Sequence, residues 1–265
     1  MHSEQAFDQA AGLRRLLSRP AAAPSWIFAG AQPGVGVTAM VVGLARLLSS
    51  QGLDVLVLDE HLSHNNVGNR LALRPRFDLL DAVRGDKHLG EVLLEHEAGF
   101  RVLPMARVLR DLSRLTPGEL QSCATLLERA SFGADVVLVD AASPTRRAIF
   151  SREQPTGMLT VLMDCSTTGI KGAYALIKRL HQEDGLRQVG VVMNRVRQQT
   201  DAEWMMGNLS RVAEAHMNVR VESLGYIPVD EPATRATQLR IDTLAGLAAR
   251  LGSYHQMTTC IRQPV

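Results

Sequence analysis

A glycine-rich segment that follows an apolar run has the residue types of a phosphate-binding loop. Residues 30–38 read GAQPGVGVT, and glycines at this spacing let backbone N–H groups approach phosphate oxygens. A loop of this kind also uses a lysine beside the β- and γ-phosphates and a Ser or Thr hydroxyl on Mg²⁺. Thr38 stands at the hydroxyl position, but Val37 stands at the lysine position. The sequence therefore predicts a nucleotide site that keeps its shape while its hydrolytic activity is weak or lost.

Two carboxylates at the ends of apolar runs are the candidates for holding a metal ion. Asp140 closes one such run, where a carboxylate can hold an Mg²⁺-bound water, so Thr38 and Asp140 are the predicted magnesium-binding residues. Asp140 is also the candidate catalytic residue if the site is active. Asp59 closes another run, and two interpretations stay open for it: a carboxylate that caps a turn, or a remaining part of the site. We interpret His61 as an exposed loop histidine rather than a catalytic base.

Short apolar runs alternate along the chain with amphipathic stretches. Because the runs are almost continuously apolar, they are typical of parallel strands covered on both faces. The alternation predicts an α/β fold with a doubly wound, mostly parallel sheet that binds ligands at the carboxyl ends of its strands. The predicted strands are 26–31, 54–59, 100–105, 135–141, 159–164, 189–194 and 221–227, and the predicted helices are 38–51, 117–130, 167–184, 200–217 and 242–254.

The composition is that of a globular chain of near-neutral charge. The 265 residues carry 29 Lys and Arg against 27 Asp and Glu, a formal net charge of +2, so we expect no direct binding to nucleic acid. No apolar run has the length of a membrane span, and the first residues lack the charged and apolar order of a signal peptide. The three cysteines are far apart and show no metal or redox spacing. These observations predict a cytoplasmic protein.

The phosphate loop resembles the deviant Walker A motif of the MinD/ParA ATPases, K-G-G-V-G-K-[ST]. In that comparison Gln32 stands at the first, signature lysine and Val37 stands at the second. The resemblance implies ATP and Mg²⁺ as cofactors, bound weakly or only vestigially by this chain. The family's signature lysine reaches the partner's phosphates across a dimer, so its replacement argues against a stable ATP-sandwich homodimer. His61 takes the place of the family's second carboxylate after the strand.

Two further positions carry the same resemblance. Asn194 matches the family position that reads the adenine edge, and Pro228 lies in a segment that resembles the loop flanking the base. The implied nucleotide-binding residues are Gly30, Gln32, Gly34, Val35, Gly36, Val37, Thr38, Asp59, Asn194 and Pro228.

A second motif lies near the N-terminus, where residues 8–14 read DQAAGLR. It resembles the activator motif of the FlhG/FleN family of MinD-like flagellar regulators, in which this segment stimulates GTP hydrolysis by FlhF, a signal-recognition-particle-type GTPase. The resemblance extends over residues 7–251. It implies an FlhF-like partner, a flagellar master transcriptional activator as a further partner, and control of flagellar number. The implied partner-binding residues are Asp8, Gln9, Ala10, Leu13 and Arg14.

The sequence divides into four predicted parts. Residues 1–19 form a partner-activating segment, 20–25 a linker, 26–252 a MinD-like P-loop domain and 253–265 a short tail. The tail is polar and lacks the basic, amphipathic character of a helix that lies on a membrane. We therefore expect membrane association, where it occurs, to be indirect and through a partner.

Two functions stay open on the sequence. The leading one is a regulatory binding protein that presents residues 7–17 to a GTPase and has weak or lost ATP hydrolysis. The alternative is a slow MinD/ParA-type ATPase switch, of the septum-site or partitioning kind, in which Arg146 and Arg147 or a partner chain supply the missing positive charge. The near-neutral charge does not favour a DNA-partitioning role, and the cysteine positions do not support an iron–sulfur cluster.

Overall fold

Residues 23–63, 66–142 and 156–229 are described by the computed structural model, and they form an α/β structure around one eight-stranded sheet. The strand order is β3-β4-β2-β5-β1-β6-β7-β8, with parallel pairing throughout except for the antiparallel pair β3–β4. This confirms the predicted fold class. The strands are β1 (Ser25–Gly30), β2 (Val55–Asp59), β3 (Leu94–Glu95), β4 (Arg101–Pro104), β5 (Val136–Ala141), β6 (Thr156–Asp164), β7 (Gln188–Val196) and β8 (Arg220–Pro228).

Helices connect the strands along the chain. The long ones agree with the sequence prediction to within about one residue at each end, whereas four single-turn helices and the two-residue strand β3 were not predicted, because so few residues carry no readable period. The α-helices are α1 (Val37–Ser50), α2 (Val67–Arg70), α3 (Leu79–Val83), α4 (Leu89–Val92), α5 (Ala106–Arg110), α6 (Pro117–Ser131), α7 (Thr167–Asp184) and α8 (Gln199–Met217), and Leu112–Arg114 is a 3-10 helix. The predicted helix 242–254 lies outside the described residues.

The sheet separates the apolar core into two clusters, one on each face. Consecutive residues of β1 point to opposite sides, so that Trp26 and Phe28 belong to one cluster and Ile27 to the other. Leu44 of α1 packs in the first cluster and Ile177 of α7 in the second. Every residue of β2 and of β5 is buried, which explains why these strands read as continuous apolar runs.

Different local signals begin the helices around the site. Thr116 starts α6 with a capping box, since its hydroxyl accepts from the Glu119 N–H while the Glu119 carboxylate accepts from the Thr116 N–H. Ser166 caps α7 by accepting from the Gly169 N–H. In contrast, α1 begins at Gly36 in a left-handed conformation (φ 103°), with no side-chain cap from the described residues. The first N–H groups of α1 are therefore available to an anion.

Helix α7 lies directly against the phosphate loop. A Cβ atom on Gly172 would overlap the carbonyl oxygen of Ala31, the first residue after β1. The Ala31 N–H in turn donates to Leu162 of β6 at 2.8 Å. The start of the loop is thus held between β6 and α7, and only glycine fits at the point of contact.

We expect Gly172→Ala to destabilise the fold and Gly207→Ala, the same change in α8, to leave it unharmed. Gly207 has open space around its Cα, so alanine there is neutral or stabilises by up to about 1 kcal/mol through helix propensity. Alanine at 172 must displace backbone, which costs on the order of 1–3 kcal/mol. Urea unfolding of the two variants measures both effects, and equal midpoints would contradict the close approach of α7.

Candidate functional site

The sequence-predicted polar residues meet at the carboxyl ends of the parallel strands. Asp59 of β2 pairs in register with Asp140 of β5, so the two carboxylates stand on neighbouring strands. On the other side of β1, Asp164 of β6 pairs with Asn194 of β7. The phosphate loop leaves β1 between these two pairs. The structure therefore brings the loop, Asp59, Asp140 and Asn194 to one edge of the sheet.

The loop has the backbone geometry that its glycines predict. Gly34 and Gly36 have φ values of 72° and 103°, which L-residues rarely adopt. A Cβ on Gly30 would lie 3.1 Å from the Gln32 carbonyl oxygen and 3.1 Å from a methyl group of Val35. The turn from β1 into α1 is tight enough that glycine is required for its shape.

The residue at the second lysine position belongs to the core rather than to the ligand. Val37 is only 9% exposed and belongs to the same apolar cluster as Phe28 and Val35. A lysine at this position would have to direct its ammonium group out of this cluster to reach a phosphate. Val37 therefore stabilises the loop by packing and contributes no positive charge.

The residue at the signature lysine position is bound within its own chain. Gln32 hydrogen-bonds the Asp164 carboxylate, which also accepts from the Ser166 hydroxyl at 2.5 Å. Burial alone would raise the pKa of Asp164, but the hydrogen bonds from Ser166 and Gln32 hold it below its usual value. Asp164 and Ser166 were not singled out on the sequence, because an Asp-x-Ser after a strand is also a common helix start.

Asp140 is the most deeply buried charged group at this edge. Its exposure is 0%, and neither of its carboxylate oxygens has a hydrogen-bond partner among the described residues. His61 Nε2 lies 3.5 Å from Asp140 Oδ1, which makes an ionic contact rather than a short hydrogen bond. A buried carboxylate whose oxygens accept no hydrogen bond from the described residues has the donor chemistry that suits a bound cation.

The interpretation of His61 as an exposed loop residue is wrong. Its side chain is 29% exposed, because the chain after β2 folds back over the end of β5. Contact with the Asp140 carboxylate raises the pKa of His61 above 6.5, while burial acts in the opposite direction. The sequence could not show this contact because the two residues are far apart along the chain.

Asp59 caps the turn that follows β2, and it does so while buried. Its two carboxylate oxygens accept from the backbone N–H groups of His61 and Gly68, each at 3.2 Å. Burial raises the pKa of Asp59 to about 6, and the neighbouring Asp140 charge adds a smaller effect in the same direction. The first interpretation of Asp59 is confirmed, since it caps a turn. The second, a remaining part of the nucleotide site, stays a prediction.

Glu60 is a further buried carboxylate that the sequence analysis passed over. Its Oε2 accepts from the Ala142 N–H at 3.1 Å, and its own N–H donates to the Asp140 carbonyl oxygen at 3.2 Å. These two bonds tie the loop after β2 to the loop after β5. A Glu directly after a strand-ending Asp was the available signal.

Asn194 contacts the phosphate loop itself in this structure. Its Nδ2 donates to the Val35 carbonyl oxygen at 2.7 Å. The next residue, Arg195, donates from its guanidinium to the Gly34 carbonyl oxygen at 2.8 Å and has a left-handed backbone with φ 58°. Arg195 was missed on the sequence, where an arginine after a strand reads as a solvent-exposed charge.

The other predicted positions lie away from these contacts or outside the described residues. Thr38 lies in the first turn of α1, and Pro228 ends β8, where it pairs with Val196. Cys123 is buried, and burial raises the pKa of its thiol to about 12. The segments 1–22, 143–155 and 230–265 lie outside the described residues. They contain the motif at 8–14, Arg146 and Arg147, and the tail.

A cleft of about 200 Å³ opens beside Asp59 and His61 at the same edge of the sheet. Phe77, Asp78 and Arg107 form part of its wall. Arg107 is already paired, since its guanidinium lies 2.8 Å from the Asp81 carboxylate. The cleft is thus a continuation of the site on the side of β2 and β4.

The fold and this arrangement of the loop match known proteins. The sequence model described as the CobQ/CobB/MinD/ParA nucleotide-binding domain matches residues 26–240, which is most of the chain. The chain belongs to this family. The match confirms the MinD/ParA resemblance that the sequence of the loop indicated. The matched domain is described as nucleotide-binding.

Individual MinD/ParA relatives extend the comparison. The chain is 29% identical to the Antiactivator FleN of Pseudomonas aeruginosa over 209 residues, which are 79% of this chain and 75% of that protein. A chain of the MinC:MinD cell division protein complex from Aquifex aeolicus superimposes with a TM-score of 0.64 at 18% identity, covering 87% of this chain and 96% of that one. A ParA family ATPase from Chlorobium tepidum gives 0.58 at 17% identity, covering 89% and 98%. At these identities, the two structures show the fold alone.

Among the residues that the structure describes, no helix has the length and apolar character needed to cross a membrane.

We expect Asp59→Asn to flatten the pH dependence of stability between pH 4 and 6. A carboxyl whose pKa is 3.8 unfolded and about 6 folded contributes stability at low pH that is lost as the pH rises through this window. At about 1.4 kcal/mol per tenfold change in proton affinity, the loss approaches about 3 kcal/mol. Urea unfolding at several pH values measures the slope for Asp59→Asn and for the exposed control Asp86→Asn.

The slope, rather than the absolute stability, is the test. Asparagine keeps one acceptor and turns an N–H₂ group toward one of the two backbone donors, which lowers stability equally at all pH values. The raised pKa of His61 makes stability fall in the same direction, but above pH 6.5. An unchanged slope below pH 6 in Asp59→Asn would contradict the raised pKa of Asp59.

Proposed function

We propose that this chain is a FleN-type regulator of flagellar number and flagellar biosynthesis, built on the MinD/ParA fold. The observation that carries the proposal is the 29% identity with the Antiactivator FleN over 79% of this chain. The DQAAGLR motif at 8–14, outside the matched family domain, supports the same assignment independently. An antiactivator restrains an activator, so the second proposed partner is a flagellar transcriptional activator.

The proposed mechanism assigns partner activation to the N-terminal segment. Residues 7–17 engage an FlhF-like GTPase, where the Gln9 amide orients water or the partner's catalytic groups. Asp8 and Arg14 hold the segment by polar contacts, and Leu13 docks in an apolar groove. Ala10 is a further proposed contact residue. The folded domain positions this segment and offers surfaces for other partners.

The residues at the sheet edge fit a magnesium nucleotide in part. The loop from Gly30 to Gly36 offers backbone N–H groups, and α1 begins without a side-chain cap from the described residues. Thr38 and Asp140 would hold the metal ion, and the free, buried oxygens of Asp140 are the observation that supports this. Bound Mg²⁺ would supply positive charge that offsets the charge of the phosphates.

The phosphate loop lacks the lysine charges that hydrolysis of a bound nucleotide would need. Val37 is in the core and Gln32 is bound to Asp164, so neither lysine position provides a cation. Each missing charge-assisted hydrogen bond lowers affinity by about 1.5–3 kcal/mol, and phosphoryl transfer depends on such cations in its transition state. We therefore propose weak nucleotide binding and little hydrolysis.

We expect Gln9→Ala to abolish stimulation of an FlhF-like GTPase, because the segment then lacks the amide that orients the reacting groups. GTP hydrolysis by the GTPase is measured with the full chain, with Gln9→Ala and with Gln5→Ala, a glutamine four residues before the proposed one. Gln5→Ala should stimulate as the wild type does. Equal stimulation by all three proteins would remove Gln9 from the mechanism.

A slow ATPase switch is the second candidate function. The observation that favours it is the buried Asp140 carboxylate, whose oxygens accept no hydrogen bond from the described residues. Calorimetric titration with ATP and ADP, with and without Mg²⁺, separates the two. We expect affinity no tighter than about a hundred micromolar, Mg²⁺-dependent in the wild type and in the control Asp86→Ala, with the dependence lost in Asp140→Ala. Micromolar binding with phosphate release would favour the switch, and no binding at millimolar ATP would leave the fold as a scaffold.

A further inference from the structure

The phosphate loop is held from outside by the end of strand β7. The two carbonyl groups at the loop's tip, of Gly34 and Val35, both accept hydrogen bonds, from the Arg195 guanidinium at 2.8 Å and from Asn194 Nδ2 at 2.7 Å. The partners are more than 150 residues apart along the chain, since Asn194 and Val35 differ by 159 positions. These bonds use the carbonyl side of the loop and leave its N–H side free.

The backbone of β7 is shaped to make these contacts. Arg195 has φ 58°, a conformation that a residue other than glycine adopts at a free-energy cost. The β7–β8 pairing shifts register between Met193 and Val196, so Arg195 lies where the regular ladder is interrupted. Asn194 Oδ1 accepts from the backbone N–H of Arg195 at 2.9 Å, which orients the Asn194 side chain relative to the Arg195 backbone. A strained residue at a functional edge indicates a role for its side chain.

The space around the loop is adapted to the same contacts. A Cβ on Gly36 would lie 2.7 Å from Asn194 Nδ2, so glycine at this position lets the amide reach the loop. Gln32 is bound to Asp164, whose charge also interacts with that of Arg195. Arg195 therefore hydrogen-bonds the loop tip and also interacts with the charge of Asp164.

We propose that Asn194 and Arg195 are positioning residues that keep the phosphate loop formed without a lysine and without bound nucleotide. The loop's conformation then does not switch with nucleotide, so its state is constant whether or not a ligand is present. This goes beyond the proposed regulatory function and does not depend on it. Preorganised N–H groups also reduce the ordering cost of binding an anion, whichever nucleotide supplies it.

The test is the mobility of the loop in the full-length, nucleotide-free protein. Backbone order parameters from ¹⁵N relaxation are measured for the amides of Gly34, Val35 and Gly36. We expect values near 0.85 in the wild type, as in rigid backbone, and values below about 0.6 in the double variant Asn194→Ala/Arg195→Ala. Amides of β1 and β5 should be unchanged in both proteins, which separates a local effect from loss of the fold.

Single variants separate the guanidinium from the backbone strain. Arg195→Gly removes the side chain and the strain together, whereas Arg195→Ala removes the side chain and keeps the strain. Both should increase loop mobility, while Arg195→Lys, which keeps a cationic donor, should restore rigidity in part. Arg197→Ala, at an exposed arginine two residues away, should behave as the wild type.

Three results would overturn the proposal. The first is a wild-type loop that is already mobile and becomes rigid only when ATP and Mg²⁺ are added. The second is an unchanged order parameter in the double variant, and the third is increased mobility spread equally over β1 and β5. GTPase stimulation by residues 8–14 is measured separately, so a failure of the proposed function would not be mistaken for a failure of this one.

Discussion

Asp59 and Asp140 stand side by side on neighbouring strands, almost or fully removed from water. Burial raises the pKa of Asp59 to about 6, and the Asp140 charge beside it acts in the same direction to a smaller extent. The turn after β2 supplies two N–H donors to Asp59, and His61 brings an imidazole to Asp140. The same turn holds Glu60, which ties it to the end of β5. In the proposed metal site, a cation at Asp140 would share the carboxylate with His61, so its binding would depend on the position of that turn.

The phosphate loop shows that the shape of a site and its charge are separate properties. Its shape depends on glycines, on the packing of Val37 and on the close contact between Ala31 and Gly172. These three features are backbone geometry and packing contacts within the chain. Its charge depends on two lysine positions that here hold Val37 and Gln32. The shape of the loop can therefore persist without the two lysines, and weak or lost hydrolysis stays a proposal for this chain.

This separation fits a protein that acts through binding. A switch that works by hydrolysis needs a loop and a metal site that respond to the γ-phosphate. The loop of this chain is contacted by Asn194, Arg195 and Gly172, and its own residue Gln32 hydrogen-bonds Asp164. The proposed function assigns the activity to the N-terminal segment, and the proposed constancy of the loop agrees with that assignment.

The sequence by itself determined the sheet, its long helices and the edge at which the site lies. The apolar run of β2 and the capping box at Thr116 each consist of residues that are close together along the chain. Such features can therefore be recognised in the sequence alone. The loop and the strand-ending residues Asp59, Asp140 and Asn194 were found for the same reason, since parallel strands end at one edge. The one-turn helices and β3 escaped because they contain too few residues to show a period.

Only the tertiary structure decided which groups meet at that edge. His61 touches Asp140, Gln32 binds Asp164, and Asn194 reaches Val35 across 159 residues of chain. Contacts of this kind are set by the register and twist of the sheet and by the distance between packed elements, and no local pattern encodes them. The burial that raises the pKa of Asp59 likewise comes from elements distant in sequence. The residue types thus determined which polar groups lie at the edge of the sheet, and packing determined which groups each of them contacts.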